Sequence, residues 1–427
     1  MILSNLTVPL VGLVDSTVIG HLQYSHQLGA VAVGASFYSI TASMAGTLRM
    51  GTTGFTAQAA GQKDNSALKR ICIQSICIAW LFAFLLAVIA MPLANLAFTI
   101  IGASAELTQQ AKAFFQIRLL GLPAMLMQHA IVGWYLGTQT ARVPMLIMIG
   151  TNISNIILVT TLVLGFGWGV EGAAIASVLA EWSGTLLGLI LLRKRVHKID
   201  QPVNWPELKT WSNWRPLLQA NLDILLRTIA LQCIFLSITM RGASLGDATV
   251  AANALLLNGL MVCSYAMDGL AHAVEALSGY AIGEGKKKSL ARAMVIAGGW
   301  SLIVSFAFAL IFALFGKYFI AMQTSMTDVR ETANAFIPYL ALLPIIAVWS
   351  FLLDGLFIGA TKAREMRNTM ALTVIATLPV ALITYGFGNH GIWLMLLFFM
   401  AARGLIMGIT AIRMERKQQW VPCTSVE

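Results

Sequence analysis

Long apolar runs, separated by short polar segments, recur along the whole chain. Each run is about as long as the roughly 20 residues that an α-helix needs to cross the hydrocarbon core of a bilayer. Because backbone groups must be hydrogen-bonded internally in lipid, the pattern predicts an all-α polytopic membrane protein with about twelve transmembrane helices. The helices are predicted near residues 1–22, 28–60, 68–101, 108–138, 142–166, 169–193, 214–241, 247–282, 288–323, 329–360, 363–387 and 390–414.

The composition agrees with this class. Of the 427 residues, 58% are hydrophobic and 11% are charged, and the mean hydropathy is +0.78. An average soluble chain is about 25% charged. A soluble enzyme or binding domain is therefore excluded as the general description of the chain.

The net charge of +10 points to membrane topology, because most Lys and Arg residues fall in alternate connections between the predicted helices. The positive-inside rule places such connections in the cytoplasm, which predicts a multi-pass membrane protein with both termini inside and no nucleic-acid partner. The cytoplasmic set is Lys63, Lys69, Arg70, Arg142, Arg193, Lys194, Arg195, Lys198, Lys209, Arg215, Lys286, Lys287, Lys288, Arg292, Lys362, Arg364, Arg367, Arg413, Arg416 and Lys417. The opposite connections hold only Lys112, Arg118, Arg241, Lys317 and Arg330.

The chain also repeats itself at a nearly constant shift. Segment 57–70 matches 279–292 and segment 137–142 matches 359–364, both at 222 positions (Gly61 to Gly283), and Gly184-x-x-x-Gly188 matches Gly404-x-x-x-Gly408 at 220. Six helices per repeat is an even number, so both halves are expected to insert in the same orientation around a central cleft near the midplane. The predicted domains are a six-helix lobe 1–193, a cytoplasmic linker 194–213, a second lobe 214–416 and a cytoplasmic tail 417–427.

A carboxylate interrupts the first apolar run. An ionisable side chain at membrane depth costs about 3 kcal/mol on insertion scales, so it normally faces a cavity and serves transport. Here Asp15 follows Pro9, whose missing N–H bends a helix. Gly12, between them, adds backbone flexibility. Pro9 and Gly12 are therefore a predicted hinge beside Asp15. The alternative is that Asp15 only pairs with a neighbouring helix.

Polar residues one helical turn apart on the fifth and sixth helices suggest partners for this acid. Asn152 and Asn155 share one face, and Ser177 and Glu181 share another. Carboxylate, amide and hydroxyl oxygens suit a proton relay or a small hard cation. A cation-coupling site of Asp15, Asn155 and Ser177, with Thr17 and Asn152 beside them, is predicted, and ordinary hydrogen bonding between helices is the alternative. Glu181 is ranked below Asp15, in an expected hydrated position near the cytoplasmic end.

Several other side chains are candidates for substrate binding. On the second helix, an aromatic and Met-rich stretch suits an adaptable cavity for organic cations, although packing is the commoner role of such side chains. On the eighth helix, three ionisable residues share a face, either as a substrate surface or as a hydrated wall. The substrate-binding candidates are Phe37, Tyr38, Met50, Asp268, His272, Glu275 and Asp354. Asp223 and Arg227, four positions apart, are expected to form an ion pair along one helix.

No motif for enzymatic chemistry is visible. The chain lacks a Walker A loop, a nucleophile–base pair, a dinucleotide loop and a metal-ligand spacing. The sequence therefore predicts no catalysis, no cofactor and no metal site, and we expect a monomer.

The whole chain resembles the MATE multidrug and toxin extrusion transporters. The resemblance rests on Pro9 to Asp15-Ser-Thr-Val-Ile-Gly-His-Leu22, on Gly61 with its basic loop, on Asn152-Ile-Ser-Asn155, and on Asp354-Gly-Leu-Phe-Ile-Gly359, which is closer to the DinF-type branch. It implies two six-helix lobes, a V-shaped cleft, and export of mostly cationic organic compounds in exchange for H+ or Na+, with Asp15 carrying the coupling.

Two positions depart from that family. Many relatives have an Asp four places after the fifth-helix Asn, where this chain has Val159, so H+ is favoured over Na+. The first helix begins at Met1 without a basic flank, so further residues are expected before it. A lipid-linked oligosaccharide flippase of the same superfamily is the alternative function.

Overall fold

The computed structural model describes residues 18, 25–101 and 105–420, and every regular element in these ranges is a helix. The helices are α1 Ser25–Gly61, α2 Asn65–Ile101, α3 Ala105–Leu119, α4 Leu122–Gly137, α5 Arg142–Val159, α6 Gly169–His197, α7 Trp205–Lys209, α8 Trp211–Ser244, α9 Asp247–Gly283, α10 Lys287–Gln323, α11 Thr327–Ala335, α12 Ile337–Gly359, α13 Ala363–Ile383 and α14 Gly388–Arg416. The all-α fold is confirmed.

From the second predicted transmembrane helix onward, helices occupy all the predicted ranges, and apart from two that are divided their ends differ by a few residues. Within the described residues, nine helical segments are long and apolar enough to cross a membrane, and α3 with α4 makes a tenth as a bent pair. The last of the nine, Ala363–Arg416, contains both α13 and α14, joined by a short 3-10 turn. The predicted first helix, apart from Val18, lies outside the described residues.

Two predicted helices are broken. The prediction of one helix at 108–138 is wrong, because α3 and α4 meet at an angle of 42°. Pro123 stands in the first turn of α4, where its missing N–H costs nothing, and Pro338 occupies the same place in α12. The helix predicted at 329–360 is likewise divided into α11 and α12.

The chain forms two compact units that divide between Leu218 and Gln219, inside α8. In the first unit, α1 packs against α2, α3 and α4, while α6 packs against α3, α4 and α5. In the second unit, α12 packs against α9, α10 and α14. The predicted limits of the lobes and of the linker 194–213 stay predictions.

The internal repeat is visible in the backbone. After α1, the N–H of Lys63 donates to Ala60, and after α9 the N–H of Gly285 donates to Ile282 in the same turn. Lys63 and Gly285 both have positive φ, +58° and +74°. After α4 and α12, 222 positions apart, Gln139 and Thr361 adopt φ of +57° and +56°. Each unit therefore turns its chain in the same way at corresponding places.

The repeat extends to the closest helix contacts. A Cβ on Gly137 of α4 would lie 2.6 Å from the Cβ of Thr56 and 2.8 Å from the backbone oxygen of Thr53 on α1. A Cβ on Gly359 of α12 would lie 2.5 Å from the backbone oxygen of Glu275 on α9, at the corresponding site. Small residues at such points allow transmembrane helices to approach closely.

We expect Gly137→Ala to destabilise the first unit by about 1–3 kcal/mol, because the added methyl group would clash with the backbone of α1, and a shift of that backbone costs free energy. Gly46→Ala, in the same helix bundle, is the control, since a Cβ there has no atom within 4 Å. Thermal unfolding of the purified protein in detergent measures both. Equal midpoints for the two variants would contradict this account of the α1–α4 contact.

Candidate functional site

The centre of the predicted coupling site lies outside the described residues. Asp15, Thr17, Pro9 and Gly12 all fall in that part of the chain. Val18 is described, and it is buried in an apolar cluster with Val159 of α5 and Ala173 and Ala174 of α6. Val18 therefore packs with residues of the two helices that carry the predicted polar partners.

The structure brings Asn155 and Ser177 together. The Asn155 Nδ2 donates to the Ser177 Oγ across 3.3 Å, and the Ser177 Oγ in turn donates to the Ala173 carbonyl. The Asn155 Oδ1 is buried without a hydrogen-bond partner among the described residues. An orphaned buried acceptor is rare in native proteins and calls for an explanation. Asn152, one turn earlier on α5, is half-buried.

The second-helix candidates differ in their surroundings. Phe37 packs edge-on against Phe98, with ring centroids 4.9 Å apart. Met50 is half-buried. Tyr38 is buried and directs its hydroxyl group toward a charged side chain of another helix. The structure therefore separates Phe37, which has an aromatic packing partner, from Tyr38, which has a polar one.

Tyr38 belongs to a cluster that the sequence did not predict. Arg118, in the last turn of α3, donates to the Glu181 Oε1 of α6 across 2.8 Å. The Tyr38 hydroxyl donates to the same oxygen at 3.3 Å, and the Arg118 guanidinium lies over the Tyr38 ring, 3.9 Å from its centroid. We call Tyr38, Arg118 and Glu181 the cation cluster.

The break between α3 and α4 makes room for this cluster. A Cβ on Gly121 would lie 2.0 Å from the Glu181 Oε2, so a larger residue there would displace the Glu181 carboxylate. The Glu181 side chain is 13% exposed and pairs with Arg118, so the expectation that water alone solvates it is wrong. Placing Arg118 among connecting segments was also wrong, because it lies in α3. The partners are 63 positions apart, so no local spacing could have indicated the pair.

The three candidates on α9 follow one another along the helix. Glu275 is 1% exposed, His272 is buried and Asp268 is half-buried. Asp268 also lies close enough to Arg227 of α8 to interact with it electrostatically. This face of α9 is therefore directed into the second unit toward charged side chains. Its predicted role in substrate binding stays a prediction.

Asp354 of α12 lies between two arginines. Its Oδ2 accepts hydrogen bonds from the Nη2 of Arg227 on α8 and from the Nη2 of Arg403 on α14. We call these three residues the buried triad. The Arg403 side chain is 2% exposed, and the Asp354 Oδ1 is buried without a hydrogen-bond partner among the described residues.

The predicted ion pair between Asp223 and Arg227 is wrong. Asp223 accepts from the Arg367 Nη1 of α13 at 2.5 Å, while Arg227 binds Asp354. Side chains four positions apart point in directions that differ by about 40°, because an α-helix has 3.6 residues per turn. In a packed bundle, each of the two charges therefore finds a partner on a different neighbouring helix.

A small acidic cavity lies where α3 and α6 begin. Its volume is about 280 Å³, and among the described residues it is lined by Glu106, Gln109, Gln110, Ala113, Val170 and Glu171. The lining offers carboxylate and amide groups at the surface of the first unit. Such a cavity can hold water or a small cation beside α3.

The comparisons with known proteins agree with this architecture. The family model described as MatE matches residues 1–161 and 224–385. The chain is 42% identical to DNA damage-inducible protein F of Escherichia coli (strain K12) over 426 residues, 99% of this chain and 92% of that protein. It is 21% identical to Multidrug export protein MepA of Staphylococcus aureus (strain MRSA252) over 409 residues, 93% of this chain and 88% of that protein.

A solved structure has the same fold. The crystal structure of MATE in the bent conformation superposes with a TM-score of 0.88 at 17% identity, covering 98% of this chain and 94% of that chain. Helices long and apolar enough to cross a membrane, together with the family match, identify the chain as an integral membrane transporter. The chain belongs to the MATE family.

Proposed function

We propose that this protein is a multidrug efflux antiporter that exports organic, mostly cationic compounds in exchange for H+. Membership of the MATE family and similarity to a multidrug export protein support the substrate class. In the proposed setting it is a monomer in the bacterial inner membrane, with both termini in the cytoplasm.

The observation that carries the coupling proposal is the orphaned oxygen of Asn155. This buried amide is held by Ser177, and its oxygen has no partner in the part of the chain that the structure describes; Val18 packs against the same two helices. We propose that Asp15, three residues before Val18, completes a proton site with this pair, and that Thr17 and Asn152 border it. The apolar surroundings of Val159 support H+ over Na+, because a sodium cage needs more oxygen ligands.

The proposed cycle is alternating access driven by one carboxylate. Ionised Asp15 favours the drug-loaded state that opens outward. Protonation from outside neutralises it, allows the first helix to bend at Pro9 and Gly12, and displaces the drug. One unit of pH difference supplies about 1.4 kcal/mol. A charge that crosses 100 mV supplies about 2.3 kcal/mol more.

Transport into inverted membrane vesicles tests the coupling ion. We expect an acidic lumen to drive uptake of ethidium, and a lumen rich in Na+ at equal pH to drive none. Vesicles without the protein are the control. Uptake that follows the Na+ gradient would overturn proton coupling, and absence of uptake under either gradient would overturn the antiporter. A lipid-linked oligosaccharide flippase would give that second result.

A further inference from the structure

The cation cluster in the first unit already holds an organic cation, which is the side chain of Arg118. The guanidinium is planar and delocalised, it lies 3.9 Å over the Tyr38 ring, and it donates to the Glu181 carboxylate at 2.8 Å. An aromatic face beside a carboxylate is the combination that recognises organic cations in proteins. The groups come from three different helices, α1, α3 and α6, so they form a built site and not a local pair.

The cluster is partly exposed and adjustable. The side chains of Arg118 and Glu181 are 12% and 13% exposed, while Tyr38 is 5% exposed. Arg118 stands in the last turn of α3, just before the 42° break. The carbonyl groups at a helix C-terminus attract a basic side chain, so Arg118 can interact with the last carbonyl groups of α3 when it leaves Glu181.

We propose that Tyr38 and Glu181 form a binding site for planar organic cations, and that Arg118 occupies this site as a resident competitor until a substrate displaces it. The proposal rests on the proposed function and names a substrate site within it. The exchange keeps the charge on Glu181 compensated throughout. Each state therefore avoids an uncompensated carboxylate among buried helices, which would be costly.

The test measures equilibrium binding of ethidium, which is planar, and of tetraphenylphosphonium, which is not, to the full-length protein in detergent. Arg118→Gln removes the competitor, so we expect it to bind ethidium about threefold to tenfold more tightly, with a smaller gain for tetraphenylphosphonium. Glu181→Gln removes the charge partner and should weaken ethidium binding about tenfold. Tyr38→Phe keeps the ring and should bind like the wild type, whereas Tyr38→Leu should bind more weakly.

A second pair in the chain supplies the matched control. The Arg241 guanidinium lies over the Tyr385 ring at 4.7 Å, but its hydrogen bond goes to the Thr384 carbonyl and not to a carboxylate. Arg241→Gln should therefore leave ethidium affinity unchanged. An Arg118→Gln variant that binds like Arg241→Gln, or more weakly than the wild type, would overturn the proposal.

The remaining outcomes are also decisive. If Arg118→Gln does not fold, the comparison of Tyr38→Phe with Tyr38→Leu still tests the proposal. A tyrosine with only a structural role would affect the binding of ethidium and of tetraphenylphosphonium alike, so a loss of affinity confined to the planar cation supports the site. If the wild type neither binds nor transports ethidium, the proposed function fails. If it does both and the cluster variants behave like the control, only this site fails.

Discussion

Replacing Asp15 by Asn is expected to abolish proton-driven efflux while the protein still inserts and folds. The amide has nearly the shape of the acid but cannot ionise, so it resembles the protonated state permanently. In the proposed cycle that state releases the drug, so Asp15→Asn should also bind ethidium more weakly than the wild type. Uptake into inverted vesicles at a fixed pH gradient, with expression and thermal unfolding measured in parallel, checks both expectations.

Asp64→Asn is the matched control for this change. Asp64 lies in the turn after α1, where its Oδ1 accepts a hydrogen bond from the Ala67 N–H at 2.9 Å and caps α2. Asparagine caps helices about as well as aspartate, so this variant should transport like the wild type. Undiminished efflux by Asp15→Asn would refute the coupling scheme, as would an equal loss in both variants.

Features of the fold with a local cause were readable in the sequence. The length of the apolar runs predicted the helices. The similar sequences that follow Gly61 and Gly283 predicted the repeat, because the conformation of a turn depends on a few adjacent residues. The break before α4 had a local signal as well, in Gly121 and Pro123, but continuous apolarity across it hid the change of direction. Hydropathy reports burial in lipid and carries no information about a bend.

The partners of charged side chains had no such local cause. Asn155 and Ser177 were predicted together because both are polar side chains on neighbouring membrane helices, and the structure places their side chains 3.3 Å apart. For Arg227, the spacing rule favoured Asp223, yet its partner Asp354 is 127 positions away. The i, i+4 preference is worth only about 0.2–0.5 kcal/mol. Packing between helices therefore decides which charges meet.

Asp354→Asn is expected to destabilise the second unit by about 3–5 kcal/mol, because it leaves two arginines buried without their hydrogen-bonded counter-charge, and Asp268 interacts with Arg227 only electrostatically. Arg227 and Arg403 both donate to the Asp354 Oδ2, and neither arginine side chain is more than 7% exposed. A neutral amide could replace the hydrogen bonds in part but not the charge. Thermal unfolding in detergent should show a midpoint well below that of the wild type.

Asp223→Asn provides the comparison for the buried triad, since Asp223 pairs with Arg367, whose side chain is 34% exposed. Water can solvate Arg367, so the loss of its Asp223 partner should lower the free energy of unfolding by at most about 1 kcal/mol. Changing Arg227 and Arg403 to Met together with Asp354→Asn should restore much of the stability, because a buried ionic group is often replaceable by apolar side chains. If Asp354→Asn unfolds no earlier than Asp223→Asn, the triad contributes little to stability. Asp354 would then be available for the substrate role that its position in α12 first suggested.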